Sequence, residues 1–143
     1  MAKPDLLDDY IEVYMTGFKY VGDLVSAPMK QYKLSFEQFL IMRDLHRGSK
    51  LSISDVAKSR GVTRAAISRQ IKTLLENDYI IQERDATDRR RLYLRLTERG
   101  EQVTTALNAT IHQRFYGWVQ QIGDEDAEDL LRIMRRVAAE IIH

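Results

Sequence analysis

The sequence predicts a mainly α fold that carries one small β-hairpin, and three observations support this. Apolar residues recur at three- and four-residue steps over most of the 143-residue chain. The period drops to two in only two short stretches, Ile80–Arg84 and Leu92–Leu96. Between them lie seven residues, Asp85 to Arg91, rich in aspartate and arginine, which make the hairpin tip.

Taken in order, residues 5–26 predict a helix through Leu6, Leu7, Tyr10, Ile11, Tyr14, Phe18, Val21, Leu24 and Val25, closed by Pro28, with Gly17 and Gly22 leaving room for close helix packing. Ser35 and Gln38 have capping-box spacing and open a second helix through Phe39, Leu40, Met42 and Leu45 to about Arg47. "RGSKLS" reads as a turn, followed by a short helix from about Ser54 to Ser59, then Gly61, then a longer helix capped by Thr63. After the hairpin, Thr97 starts a long helix that ends near Gly123. Asp124 is expected to cap the last helix, whose acidic "DEDAED" sits at the positive end of its dipole. Ala127, Leu130, Leu131, Met134, Val137, Ala138 and Ile141 give that helix one apolar face. The expected organisation is one domain over 1–143: a compact lobe over about 34–97 and flanking helices over about 5–28 and 98–143. The flanking stripes are too wide for a small lobe to cover, so they are expected to pair with a second copy.

Composition removes several function classes. There is no cysteine, hence no disulfide, thiolate metal site or thiol-based oxidant sensing. No apolar run approaches the roughly 18 residues needed to cross a bilayer, and "MAKPDLLDDY" lacks a signal-peptide core, so a cytoplasmic protein is expected. No nucleophile elbow, phosphate loop or metal motif is present, so no enzymatic activity and no cofactor are expected. His46, His112 and His143 do not make a metal set: the residue four before His112 is Asn108. Net charge is +1, but its distribution is uneven: Arg43 to Arg99 holds 14 Lys and Arg against 8 Asp and Glu. A basic middle between acidic ends suits a fold that meets a polyanion with one part only.

The strongest motif is "DVAKSRGVTRAAISRQI", residues 55–71. Ala57 four residues before Gly61 has the spacing of a helix-turn-helix, with Val56, Val62, Ile67 and Ile71 as its expected small core. At about 100° per residue, Ile67, Ile71 and Leu74 share one side of the second helix. Arg64, Ala65, Ser68, Arg69 and Lys72 share the other, and with Thr63 they form the candidate DNA-reading face. Arginine can grip guanine edges in a major groove while hydroxyl and ammonium groups reach bases or phosphates. A basic helix face is also what an ordinary solvated helix presents, but the hairpin tip argues against that reading. Arg89, Arg90 and Arg91 repel one another unless an anion lies opposite, as in a minor groove and its flanking phosphates. Asp85 and Asp88 are expected to brace the loop, and Leu92, Leu94 and Leu96 to anchor the hairpin to the core. Together these elements make a winged helix-turn-helix with flanking dimerisation helices.

"VAKSRGVTRAAISRQIKTLLENDYIIQERDATDRRRLYLRLTERG", with Asp88-x-Arg90, Leu92-x-Leu94-x-Leu96-Thr97 and Gly100, resembles the MarR family of bacterial transcription regulators. The resemblance implies a homodimer that binds pseudo-palindromic double-stranded DNA, a repressor in most members and an activator in some, released by a small ligand or an oxidant. It places the recognition-helix contacts on Arg64, Ser68, Arg69 and Lys72, and the wing arginine on Arg90 with Asp88 as its structural partner. One departure is Asp78, where that family usually has glycine at the helix exit; aspartate tolerates the left-handed conformation better than most residues. Tyr14, Phe18, Phe39, Met42, Arg43, His46, Phe115 and Trp118 form a candidate pocket for a small apolar or aromatic anionic effector. The competing reading from a different class is a winged-helix protein-interaction or assembly module that binds no DNA.

Overall fold

In the computed structural model, which describes residues 6–48 and 50–141, the N-terminal apolar repeat forms one helical run that changes pitch three times. Helix α1 (Leu6–Val13) passes through a π turn at Tyr14–Phe18 into α2 (Lys19–Ser26), which tightens to a 3₁₀ segment at Ala27–Tyr32. Pro28 does not close the run as its position suggests. It sits in the first turn of the 3₁₀ segment, where a missing N–H costs nothing, and the chain stops only at Lys33, in the left-handed conformation with φ 57°. Among the described residues Gly22 has nothing within 4 Å of a would-be side chain and Gly17 meets only its own helical run, so neither packs against another described helix.

Ser35 caps α3 (Phe36–Arg47) in a complete capping box with Gln38. The segment read as a turn before the next helix does more than turn. Leu51 bridges to Leu94, whose N–H donates to the Leu51 carbonyl at 2.8 Å, so the hairpin has a one-residue third strand. Ser52 then caps α4 (Ile53–Arg60) through a second capping box with Asp55. Gly61 ends α4 at φ 66°, and Thr63 caps α5 (Arg64–Glu76) by accepting from the Ala66 N–H.

The exit of α5 is a Schellman turn. The Tyr79 N–H donates to the Leu74 carbonyl and the Asp78 N–H to the Leu75 carbonyl, which puts Asp78 at φ 60°. Aspartate therefore takes the left-handed position directly. Asp78→Gly should raise stability by about 0.5–1 kcal/mol, because glycine adopts that conformation without the side-chain penalty. Asp78→Val should lower it; thermal denaturation of both variants checks the sign.

Strands β1 (Ile80–Arg84) and β2 (Leu92–Leu96) pair antiparallel with Ile80 opposite Leu96 and Arg84 opposite Leu92. Leu94 and Leu96 are buried, but Leu92 lies beyond the core and is exposed, so two leucines rather than three anchor the hairpin. Val62 is likewise exposed rather than part of the helix-turn-helix core; Val56, Ala57, Ile67 and Ile71 fill it without the turn residue. Thr97 caps α6 (Glu98–Ile122), and Gly123, not Asp124, is the residue between α6 and α7 (Asp124–Glu140). Asp124 is the first helical residue and makes no cap hydrogen bond, though Asp124, Glu125 and Asp126 do place their charges in the first turn.

The core is a single cluster under α3, α4, α5 and the hairpin, closed by Met29 from the N-terminal run and by Val103 and Leu107 of α6. Ion pairs and hydrogen bonds tie the shell: Arg60 to Asp44 at 2.7 Å, His46 to Glu101 at 2.6 Å, and Arg114 to the Leu24 carbonyl at 2.7 Å. Neither α1 nor α7 buries a residue. Leu7, Tyr10, Tyr14, Leu131, Ile133 and Ile141 are among the large apolar side chains left exposed on or beside these two helices.

Candidate nucleic-acid interface

Folding of α5 onto α4 and β1 buries Ile67, Ile71 and Leu74, which turns Thr63, Arg64, Ala65, Ser68, Arg69 and Lys72 outward; all six are exposed. Thr63 accepts from the Ala66 N–H at the cap, which leaves its hydroxyl proton free to donate to a partner. Arg64 differs from the others on this face. It reaches across to α4, where its Nη1 donates to the Ser54 hydroxyl at 3.1 Å.

The hairpin tip is held by its two aspartates. Asp85 accepts from the Thr87 N–H and hydroxyl at 3.2 Å, and Asp88 accepts from the Arg90 N–H at 3.1 Å and its Nε at 3.3 Å. Arg84 steadies the other side of the loop by donating to the Arg89 carbonyl at 2.7 Å. The result is a shaped tip whose cations face solvent: the Arg90 side chain is 93% exposed and that of Arg91 69%. At such exposure the Asp88 pairs contribute little to stability; their effect is to fix where the guanidiniums point.

Between the first turn of α4, with Arg64 from the start of α5, and this tip lies an open cleft of about 380 Å³, lined by Ser52, Ile53, Ser54, Asp55, Arg64, Arg90, Arg91, Leu92 and Tyr93. Hydrogen bonds from the Ser52 backbone and hydroxyl hold the Asp55 carboxyl below its ordinary range, so it stays ionised as the α4 cap. The Tyr93 hydroxyl, with Asp88, pushes the Arg91 guanidinium further up, so it is cationic at every working pH. Ser52, Ser54, Asp55 and Tyr93 also line the site, though the sequence did not single them out as site residues. Ser52-x-x-Asp55 has capping-box spacing and could have marked the α4 end of the cleft.

The candidate effector residues are not gathered into one cavity within a single chain. Phe39 and Met42 share the inward side of α3 and are buried in the lobe core, so their three-residue spacing reflects packing rather than a pocket wall. Tyr14 and Phe18 line a surface groove of about 530 Å³ along the first helical run. Phe115 and Trp118 stack on each other on α6 at 5.9 Å, His46 pairs with Glu101, and Arg43 is half-buried, with no hydrogen-bond partner for its Nε among the described residues. His112 packs on Tyr116 at 4.7 Å; His143 lies outside the described residues.

Comparison with known proteins agrees with this geometry. The family model for the transcriptional regulator SarA/Rot matches residues 23–107. The HTH-type transcriptional regulator TcaR of Staphylococcus aureus is 25% identical over 134 residues, covering 90% of this chain and 88% of its own. The S. aureus MepR–DNA complex superposes with a TM-score of 0.72 at 20% identity, over 99% of this chain and 100% of that one. The S. aureus MarR structure with salicylate and kanamycin gives 0.72 at 18% identity, over 94% of this chain and 91% of that one. The fold is therefore that of the MarR-type winged-helix regulators.

Proposed function

The chain belongs to the SarA/Rot family of transcriptional regulators, and from that premise we propose that it is a sequence-specific homodimer on pseudo-palindromic double-stranded DNA. Helix α5 enters the major groove with Ser68, Arg69 and Lys72 toward base edges. The Arg89–Arg91 tip enters the adjoining minor groove. One observation carries this reading: the outward polar and cationic face of α5 and the braced cationic tip are both exposed, and Arg64 of the first and Arg90 and Arg91 of the second line one cleft. A solved relative in fold, MepR, has been captured on DNA. The dimer acts as a repressor, with release by a small apolar or aromatic anion; salicylate on the MarR structure is a molecule of that class. For this chain the effector would bind where Tyr14, Phe18, Phe115 and Trp118 remain outside the core, not against Phe39 or Met42.

Pairing follows from the uncovered stripes on α1 and α7. Apolar area of that extent is left in water only at a contact surface. A dimer through these helices would set its two α5 helices about 34–36 Å apart, one turn of DNA. Light scattering at micromolar protein should report twice the chain mass of 16.7 kDa. A glutamate at Leu131, 51% exposed in the single chain, should shift it toward the monomer. A clean wild-type monomer would remove the basis for a palindromic site. Selection of bound duplexes from a random pool tests the whole reading, since it should return two inverted half-sites about ten base pairs apart; a pool with no enriched motif would leave the protein-contact module standing.

A further inference from the structure

A protein that puts one element in a major groove and another in the next minor groove must leave a channel for the sugar–phosphate strand between them. A cleft opens between the first turn of α4 and the hairpin tip, with Arg64 at the start of α5 on its rim. We propose that this cleft seats a DNA backbone phosphate, and that Arg64 clamps it together with Arg91 rather than reading a base. The proposal rests on the groove assignment above and refines it, because the position of Arg64 on the outer face of α5 would otherwise make it a base reader.

Three features support the assignment. The cleft is lined by Arg64, Arg90 and Arg91 with one carboxylate, Asp55, whose oxygen accepts from the Ser52 N–H at 2.9 Å within the α4 capping box; Asp88, outside the lining, pairs with Arg90 at 3.3 Å and stands 4.0 Å from Arg91, which leaves the three cations in excess of the two anions. Arg64 uses one N–H on Ser54, and a guanidinium carries five, so it can grip an oxyanion without giving up its bond to α4. The Ser54 hydroxyl accepts from Arg64 and therefore keeps its own proton to donate, as a phosphate oxygen requires. A guanidinium anchored in this way is held back toward α4 and away from the outward end of α5. Arg69 and Lys72 have no such anchor among the described residues.

The test uses the intact protein, the selected duplex, and a set of duplexes carrying single base-pair changes. Arg64→Gln should weaken all of them by a similar factor, about 30-fold near 0.15 M salt, and lower the slope of log affinity against log salt by about 1.8 for two half-sites. Arg64→Lys should restore part of both, because an ammonium still holds a phosphate as a point charge. If Arg64→Gln instead changes the ranking of the base-pair variants, or leaves the salt slope as it was, the clamp is wrong. Inorganic phosphate is then exchanged for chloride at constant ionic strength. Loss of duplex affinity in the wild type and Arg64→Lys but not in Arg64→Gln is expected if inorganic phosphate competes with the backbone for one seat; phosphate that binds the wild type through Arg64 while leaving its duplex affinity unchanged would assign the seat to a free anion and overturn the duplex as its occupant. A wild type with no duplex affinity at all is a different signal: it removes the groove assignment, and the clamp with it.

Discussion

Gly100→Ala should destabilise the protein by about 3 kcal/mol, because it forces a side chain into occupied backbone space. A Cβ at Gly100 would stand 2.1 Å from the Tyr79 carbonyl oxygen and 3.1 Å from Leu96 Cδ2. That carbonyl cannot step aside easily. It accepts from the Thr97 N–H at 3.0 Å and from the Thr97 hydroxyl at 3.2 Å, and the same threonine caps α6 through the Gly100 N–H. Tyr79 is fully buried, with its hydroxyl on the Tyr32 carbonyl at 2.8 Å and Arg99 over its ring. The close approach therefore joins the exit of α5, the base of the hairpin and the start of α6. Thermal denaturation at matched protein concentration should show a fall of about 10 °C. A variant that melts with the wild type would mean that the joint is looser than its hydrogen bonds imply.

Arg90→Ala should weaken binding to every duplex by about 30-fold near 0.15 M salt, with specific and scrambled sequences affected alike. Each of two half-sites gives up one phosphate neutralised by this guanidinium, at about fivefold apiece, and the salt slope should fall by about 1.8. Arg90 is almost fully exposed, so its truncation should leave the melting temperature where it was. Arg69→Ala should behave differently, relaxing preference at particular base pairs by about 1–3 kcal/mol for a bidentate hydrogen bond. Electrophoretic or fluorescence titrations of the three proteins separate these outcomes. Unchanged affinity for Arg90→Ala at both high and low salt would show that the tip stands clear of the duplex.

Features encoded by neighbours along the chain were legible in the sequence. The strand limits at Ile80, Arg84, Leu92 and Leu96, the Ser35 capping box and the Thr63 and Thr97 caps all depend on residues close to one another in the chain. Asp78 in the left-handed conformation belongs with them, since the exit of α5 leaves no other geometry. What escaped depends on packing between distant segments. Leu51 pairs with Leu94 across the lobe, and nothing in "RGSKLS" signals a strand of one residue. Leu92 and Val62 fit their apolar patterns but lie past the edge of the core, because a pattern gives the side of an element and not how far its neighbours extend. Gly100 stood out only as part of a family motif; its physical reason, the Tyr79 carbonyl, lies on the far side of the hairpin in sequence. The candidate effector residues were chosen by type, and α3 used two of them for its core. The cleft lined by Arg64 and Arg91 joins three separate elements, so no single stretch of sequence displays it.

Sequence-specific DNA binding by a pair of these chains is tested most directly by titrating the wild-type protein against two duplexes of equal length, one recovered by selection and one scrambled, at roughly 50 and 200 mM salt. Two chains should bind each selected duplex, with preference over the scrambled one by at least about a thousandfold. Both affinities should fall steeply as salt rises. Equal affinity for the two duplexes, or binding indifferent to salt, would contradict the DNA assignment and make the cationic face of this winged helix a surface for something else.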